Sequence, residues 1–452
     1  MINIFKQSSL RQCFIVMMAI ITMSKGANSV ASTPVTSHQT KGATSSSSVK
    51  VLSKAKPIVL LPPYKPLPIS IRDGYIWQGN NPMQNVGVVM EDLFTRVLAG
   101  HTKSAAAALK DASKAGAEFV RFPLLADITS IRTFNTNPTQ FLAAYSTVLT
   151  MVNASRMQSI PTLTTHPDNL QTAIQTALGC TNAQTDIFQP GSQGNDLIVA
   201  CAKLIAQTSA TDPRVLFWVI GDDLNSDADS GAGNPTSVQV AALLKAVASV
   251  LHKYDKHHLV CSGNGAFPVD AWNMHLKQIG KLPANAVLPD DTIQEYIDEM
   301  QLLTPKGIDI LSTYLSPEGD NVPGWLFPDP HREMVLSWIQ YVAGHTKMPL
   351  YVASFGAPSD TVNGKLQLSP WLLDALRRLQ ATAMPLATIK DWEPLNPAPS
   401  NLPFVVSWAT TPTLASALQT VNSVIADAQV KGLVISVGPP LPQQNFTDST
   451  GH

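Results

Sequence analysis

Two adjacent carboxylates, Asp222 and Asp223, close the apolar run Arg214-Val-Leu-Phe-Trp-Val-Ile-Gly221. Paired carboxyls at one cleft suit general acid-base work, because their surroundings can hold one protonated and the other ionised. On a strand the two would point in opposite directions, but at a strand end either can face the cleft. A second position is Ser354, where the apolar run from Met348 enters a Ser-Phe-Gly turn. A serine nucleophile needs a base beside it, and Ala-Ser-Phe-Gly-Ala lacks the Gly-x-Ser-x-Gly elbow. Arg121, His166 and Tyr314 close other apolar runs with polar groups. Trp77 and Trp392 do so with flat faces suited to stacking on a ligand. Trp325, in Pro-Gly-Trp-Leu-Phe-Pro, is a further rim candidate. No His/Cys/Asp cluster has metal-ligand spacing, and the His257-His258 pair sits at a strand entrance. No metal and no cofactor is expected.

Repeated strand-helix units must position these residues. Gly74–Gly79 reads as a first strand, Gly116–Pro123 as a second and Ile160–His166 as a third. Arg214–Gly221 is a fourth, His258–Gly263 a fifth, Ile308–Tyr314 a sixth, the run from Leu350 a seventh, and Leu386–Trp392 an eighth. The segment Phe404-Val-Val-Ser-Trp408 competes for the eighth place. Helical stretches lie between them at 104–115, 141–155, 196–207, 238–254, 332–343 and 371–382, with a last one at 413–429. The strands are near-continuously apolar, as expected when both faces are buried, and the alternation implies parallel pairing with right-handed crossovers. Eight units favour a closed (β/α)8 TIM barrel over an open α/β sheet. No Gly-x-Gly-x-x-Gly follows the first strand and no Walker-type motif occurs, so dinucleotide and phosphate chemistry lack their residues. In such a barrel, ligands meet the C-terminal ends of the strands, and that rule selects the residues named above.

From about residue 70 to 430 the chain resembles the clan-A glycoside hydrolases, most closely the cellulase- and mannanase-like family 5. Gly116-Ala-Glu-Phe-Val-Arg-Phe-Pro is similar to the family's second strand, whose Arg buttresses the nucleophile; Arg121 matches it. Asp212 to Asn225 is similar to the fourth strand, which ends in Asn-Glu. Asp222 takes the Asn position and Asp223 the acid/base Glu position. Ile308 to Pro317 resembles the sixth strand, where Tyr314 and Ser316 occupy the places of His-x-Tyr. Pro349-Leu-Tyr-Val-Ala-Ser-Phe-Gly matches the seventh strand except that Ser354 stands where the nucleophile Glu belongs. His166 follows the third strand, where the family often has a cleft His.

The resemblance implies a sugar-binding mouth, with Trp77, Arg121, His166, Tyr314 and Trp392 on the ligand. It leaves two outcomes for Asp222, Asp223 and Ser354. A retaining glycosidase needs two carboxyls about 5 to 5.5 Å apart, and Ser354 supplies none. One expectation is therefore a barrel that binds a polysaccharide or oligosaccharide without retaining hydrolysis. The other is an inverting hydrolase, which tolerates carboxyls roughly 6.5 to 9.5 Å apart, with Asp223 as acid and Glu318 or Glu393 as base.

The rest of the chain sets the context. At 452 residues, 14% charged and with a net charge of −1, it has no basic stripe for nucleic acid or an anionic membrane. Lys6 and Arg11 precede the apolar run Phe14–Met23, and Ser29-Val-Ala31 is a plausible cleavage site, so residues 1–31 read as a signal peptide. Residues 32–56 are a Ser/Thr-rich disordered linker, 57–430 the barrel and 431–452 a Pro-rich extension. A secreted or periplasmic location follows, with no membrane contact after signal cleavage. Cys180 and Cys201 could close a loop, or they and Cys261 stay as buried thiols.

Overall fold

The computed structural model describes residues 67–181, 186–315, 346–356, 360–362, 365–367, 386–395, 406–408 and 411–430. The expected signal peptide, linker and extension lie outside the described residues. So do the helices expected at 332–343 and 371–382, and the residues Ser316, Glu318 and Trp325.

Three short antiparallel strands come first: β1 (Ile69–Arg72), β2 (Tyr75–Gln78) and β3 (Asn81–Pro82). Asp73 and Gly74 join the first two with φ of 52° and 77°, the left-handed pair that a tight hairpin turn requires. The barrel strands follow as β4 (Asn85–Val89), β5 (Phe119–Leu125), β6 (Gln158–Thr164), β7 (Trp218–Val219), β8 (Val260–Cys261), β9 (Leu311–Leu315) and β10 (Leu350–Phe355). A small hairpin, β11 (Asp360–Val362) with β12 (Lys365–Gln367), precedes the last barrel strand, β13 (Leu386–Ile389). The sheet has eight strands in the order β8-β7-β6-β5-β4-β13-β10-β9. Its pairings are parallel, and a parallel bridge from Cys261 to Ile310 joins the two edges. The result is the expected (β/α)8 barrel.

The first barrel strand is Asn85–Val89, which corrects the expectation of Gly74–Gly79. Gly87 lies in its middle, where a Cβ would come within 2.4 Å of the Phe119 ring. The close packing of β4 on β5 therefore needs a residue that weakens the strand signal in sequence. The hairpin β1–β2 has another task. Ile76 is fully buried against Phe119, Ile160, Phe217 and Tyr351 inside the barrel. Gln78 donates to the Gln158 side chain at 2.7 Å, at the first residue of β6. The hairpin thus closes the N-terminal end of the barrel.

Alternation along the strands sorts the side chains. On β5, Phe119 points to the interior while Val120 and Phe122 join the outer core under the helices. Arg121 shares the inward face, and so a charge is carried into the barrel. The covering helices are α1 (Leu93–Leu98), α2 (Thr102–Lys114), α3 (Ile128–Thr136), α4 (Pro138–Ala154), α5 (Pro167–Leu178), α6 (Gln193–Ser209), α7 (Ser237–Tyr254), α8 (Ala271–Gln278), α9 (Ile293–Leu302) and α10 (Pro412–Val430). Their starts are marked by capping side chains: Asp127 with Ser130 on α3 and Thr236 with Gln239 on α7 form capping boxes. On α2 the buried stripe is Ala105, Ala108, Leu109 and Ala112, small enough to let the helix lie close to the sheet. His258, at the entrance of β8, is pinned by Asp255 at 2.7 Å, which also accepts from the Trp218 indole. Cys180, Cys201 and Cys261 are free and buried, so the loop-closing disulfide is not formed. No helix among the described residues is long and apolar enough to cross a membrane.

Candidate functional site

The C-terminal strand ends surround a cavity of about 460 Å³, within the roughly 300–1,000 Å³ span of small-ligand sites. Its floor is organised by Arg121, which is 2% exposed. The guanidinium donates to Thr162 Oγ1 at 3.0 Å, to the Ala353 carbonyl at 2.8 Å and to the Gly221 carbonyl at 3.3 Å. It also pairs with the Asp222 carboxylate, and its Nη2 lies 3.2 Å from the Tyr314 hydroxyl. Tyr314 donates to the same Asp222 oxygen that Arg121 holds. Strands β5, β6, β7, β9 and β10 are thereby tied together at one buried cation.

Asp222 is the anionic half of this arrangement. Burial works against its charge, but Arg121 and Lys390 outweigh that, and its carboxyl stays below the usual range. Asp223 has a different environment. Its φ of 59° lies in the left-handed region, which Asp tolerates at modest cost, and its backbone N–H donates to the Gly263 carbonyl at 2.9 Å. A Cβ at Gly265 would fall 1.7 Å from Asp223 Oδ1, so this seat exists because residue 265 is glycine. Burial first, and then the adjacent Asp222 charge, push the Asp223 carboxyl up to about 6. His166 Nε2 lies 3.9 Å from Asp223 Oδ2 and 3.3 Å from the Ser226 hydroxyl. The two neighbouring aspartates thus split into a fixed anion and a group able to carry a proton.

Ser354 pairs in register with Tyr314 across β10 and β9, just past an irregularity after Val352, and lines the cavity. Arg121 reaches the carbonyl of the preceding Ala353, and among the described residues its carboxylate ion pair is with Asp222. The structure therefore brings Arg121, His166, Asp222, Asp223, Tyr314 and Ser354 to one mouth, five of them lining the cavity and Arg121 beneath.

Two expected aromatic contacts are corrected. Trp77 lies on β2, at the closed end of the barrel, where its indole donates to the Arg72 carbonyl at 3.1 Å and Arg72 sits over its ring. Its hairpin strand imitates a barrel strand in sequence but lies under the sheet. Trp392 is fully buried, with its indole donating to the Ala108 carbonyl of α2 at 3.2 Å, so no face is open to a ligand. Its apolar surroundings are those of the helix layer rather than the mouth. Glu393, expected as a spare carboxyl, does not line the cavity. It lies toward α2, where burial and Asp111 push its carboxyl up to about 7.

Other mouth residues went unnoticed in sequence. Glu91 follows β4, and Lys390 and Asp391 follow β13; all three line the cavity, as does Asn169 at the start of α5. Lys390 Nζ lies 3.4 Å from Glu91 Oε1. Burial and Glu91 push the Asp391 carboxyl up to about 7. Lys390 and Asp391 are legible in principle, being the two residues that immediately precede Trp392 at the same strand end. Glu91 is hidden in sequence because the strand it follows, β4, is interrupted by Gly87 and reads weakly. Among the described residues, no group of His, Cys, Asp and Glu side chains is arranged to hold a metal ion.

Neither protein-family profiles nor curated protein sequences give a match to this chain. Solved structures do. An endo-1,4-beta-mannanase from Rhizomucor miehei is 14% identical and superposes with a TM-score of 0.58 over 79% of this chain and 99% of its own. A glycoside hydrolase family 5 mannosidase from the same organism is 12% identical, with a TM-score of 0.57 over 80% and 98%. A beta-glucanase from Saccharophagus degradans, solved with cellotetraose, is 12% identical, with a TM-score of 0.52 over 81% and 94%. At these identities the likeness is one of fold: the chain has the parallel eight-stranded barrel of family 5 mannanases and glucanases.

Proposed function

We propose that this protein is an exported sugar-binding barrel that takes a β-linked polysaccharide or oligosaccharide at its mouth and does not perform retaining hydrolysis. One observation carries the reading. The strand-seven end presents Ser354, while Arg121 and Tyr314, the groups beside it, both close on Asp222. A covalent glycosyl intermediate needs a carboxylate on the face opposite the acid, and a neutral hydroxyl cannot offset the charge that develops there. The cavity and its polar lining remain, and they fit a neutral or polar ring ligand. The structural neighbours act on mannans and glucans, so β-mannan and β-glucan oligosaccharides are the first ligands to try. Saturable binding of such an oligosaccharide, with no release of reducing ends, is the expected result. Release of product with retained anomeric configuration would reject this reading.

A second reading is favoured by the pair Asp223 and Glu91. An acid raised to about 6 on strand four faces a cavity also lined by Glu91 from strand one. Inverting hydrolysis would use Asp223 to protonate the leaving oxygen and Glu91 to take a proton from water. It predicts inverted product on proton NMR and loss of that activity in both Asp223→Asn and Glu91→Gln.

A further inference from the structure

Among the described residues, the mouth holds more acids than permanent cations. Glu91, Asp222, Asp223 and Asp391 line the cavity, against Lys390 on its wall and Arg121 beneath it. Both cations are taken. Arg121 is paired with Asp222, and Lys390 with Glu91 at 3.4 Å. Of the two remaining acids, Asp391 is only 5% exposed. The Asp223 side chain is 27% exposed, and among the described residues no Lys or Arg lies within ion-pair distance of it. His166 at 3.9 Å is its ionic neighbour.

We propose, on the reading of the mouth as a sugar site, that it selects a cationic glycan, in which the ammonium of an amino sugar docks on the Asp223 carboxylate. The carboxylate is presented by a left-handed backbone and seated against Gly265, so its position is fixed by the chain rather than by a partner side chain. Its carboxyl is raised because burial and Asp222 disfavour the charge. A ligand cation offsets both, since it supplies a counter-charge that no lysine or arginine among the described residues gives at ion-pair distance. A metal ion would need several protein ligands converging on one point, and the described residues offer no such group. A single ammonium needs one carboxylate and neutral acceptors, and Asn169 and Thr165 on the cavity wall can serve as acceptors.

The groups facing Asp223 are Asp222, His166, Lys390 and Asp227. Burial, then Asp222 and Asp227, raise its carboxyl while His166 and Lys390 lower it, so it ionises near pH 6. A sugar amine gives up its proton at about the α-amino value of 7.7. Both partners are charged between those limits, and the selectivity must peak there.

The test uses two β-1,4-linked tetrasaccharides that differ only at C2 of each ring: cellotetraose, with a hydroxyl there, and the glucosamine tetramer, with an ammonium. Titration calorimetry on the whole protein at pH 6.8 is expected to give the glucosamine tetramer an advantage of about tenfold or more, the size of one charge-assisted contact. The advantage shrinks at pH 4.5, where Asp223 holds a proton. It also shrinks to about twofold or less in Asp223→Asn at pH 6.8. Equal binding of the two sugars at pH 6.8 overturns the cationic preference and leaves the sugar reading standing. So does an advantage that survives both pH 4.5 and Asp223→Asn. Binding of neither tetramer overturns both.

Discussion

At the scale of residues, Asp222 and Asp223 show how neighbours of one chemical type are driven apart. Asp222 is a structural anion. Removing it leaves Arg121 buried without a counter-charge, so Asp222→Asn is expected to cost about 3–5 kcal/mol in urea denaturation. Asp223 has the opposite sign. Its carboxyl is raised from the ordinary value near 3.8 to about 6, so the folded state binds a proton that the unfolded chain has already lost. Stability from this group is present below about pH 4 and disappears as the pH rises through 6. Asp223→Asn should therefore raise the melting temperature at pH 7.5, and the gain should fade by pH 4. A flat difference across that range would show that Asp223 does not titrate as its surroundings require.

At the scale of elements, the two ends of the barrel divide the labour. The hairpin β1–β2 seals one end with Ile76, and Ile76→Ala should cost about 2–5 kcal/mol, as deletions in a packed interior do. Trp77→Ala, on the same hairpin, should leave oligosaccharide affinity unchanged. At the other end, Gly265→Ala should weaken ligand binding while the circular dichroism spectrum stays native, because the new methyl displaces the Asp223 carboxyl. The barrel strands β5 to β10 and β13 are readable because each is a short apolar run; the hairpin β11–β12 has no such signal. β4 is not readable either, since Gly87 interrupts it and β2 offers a more strand-like sequence nearby. The site was half legible for a related reason. Arg121, His166, Asp222, Asp223, Tyr314 and Ser354 are marked by their place at strand ends. Whether Trp392 turns to the mouth or to the helices depends on packing against α2, which no local pattern encodes.

At the scale of the whole molecule, the described residues hold their fold without covalent staples. Cys180, Cys201 and Cys261 are free, and burial pushes the Cys261 thiol up to about 11. Burial raises the Cys201 thiol too, so these two are protonated at neutral pH, and all three cysteines are shielded. Peptide mapping after alkylation should find all three unlabelled in the native protein and labelled in urea, and a reducing agent should leave the melting temperature unchanged. A labelled native Cys201 would contradict its complete burial.

The three-way contact of Arg121, Tyr314 and Asp222 also couples two positions of the mouth. Introducing a glutamate by Ser354→Glu would bring a second anion to a guanidinium that Asp222 already neutralises. Removing Asp222 alone would strand Arg121 in the interior without the carboxylate it is paired with. A carboxylate at 354 and one at 222 therefore compete for a single cation, and the charge of the mouth is set by both positions together.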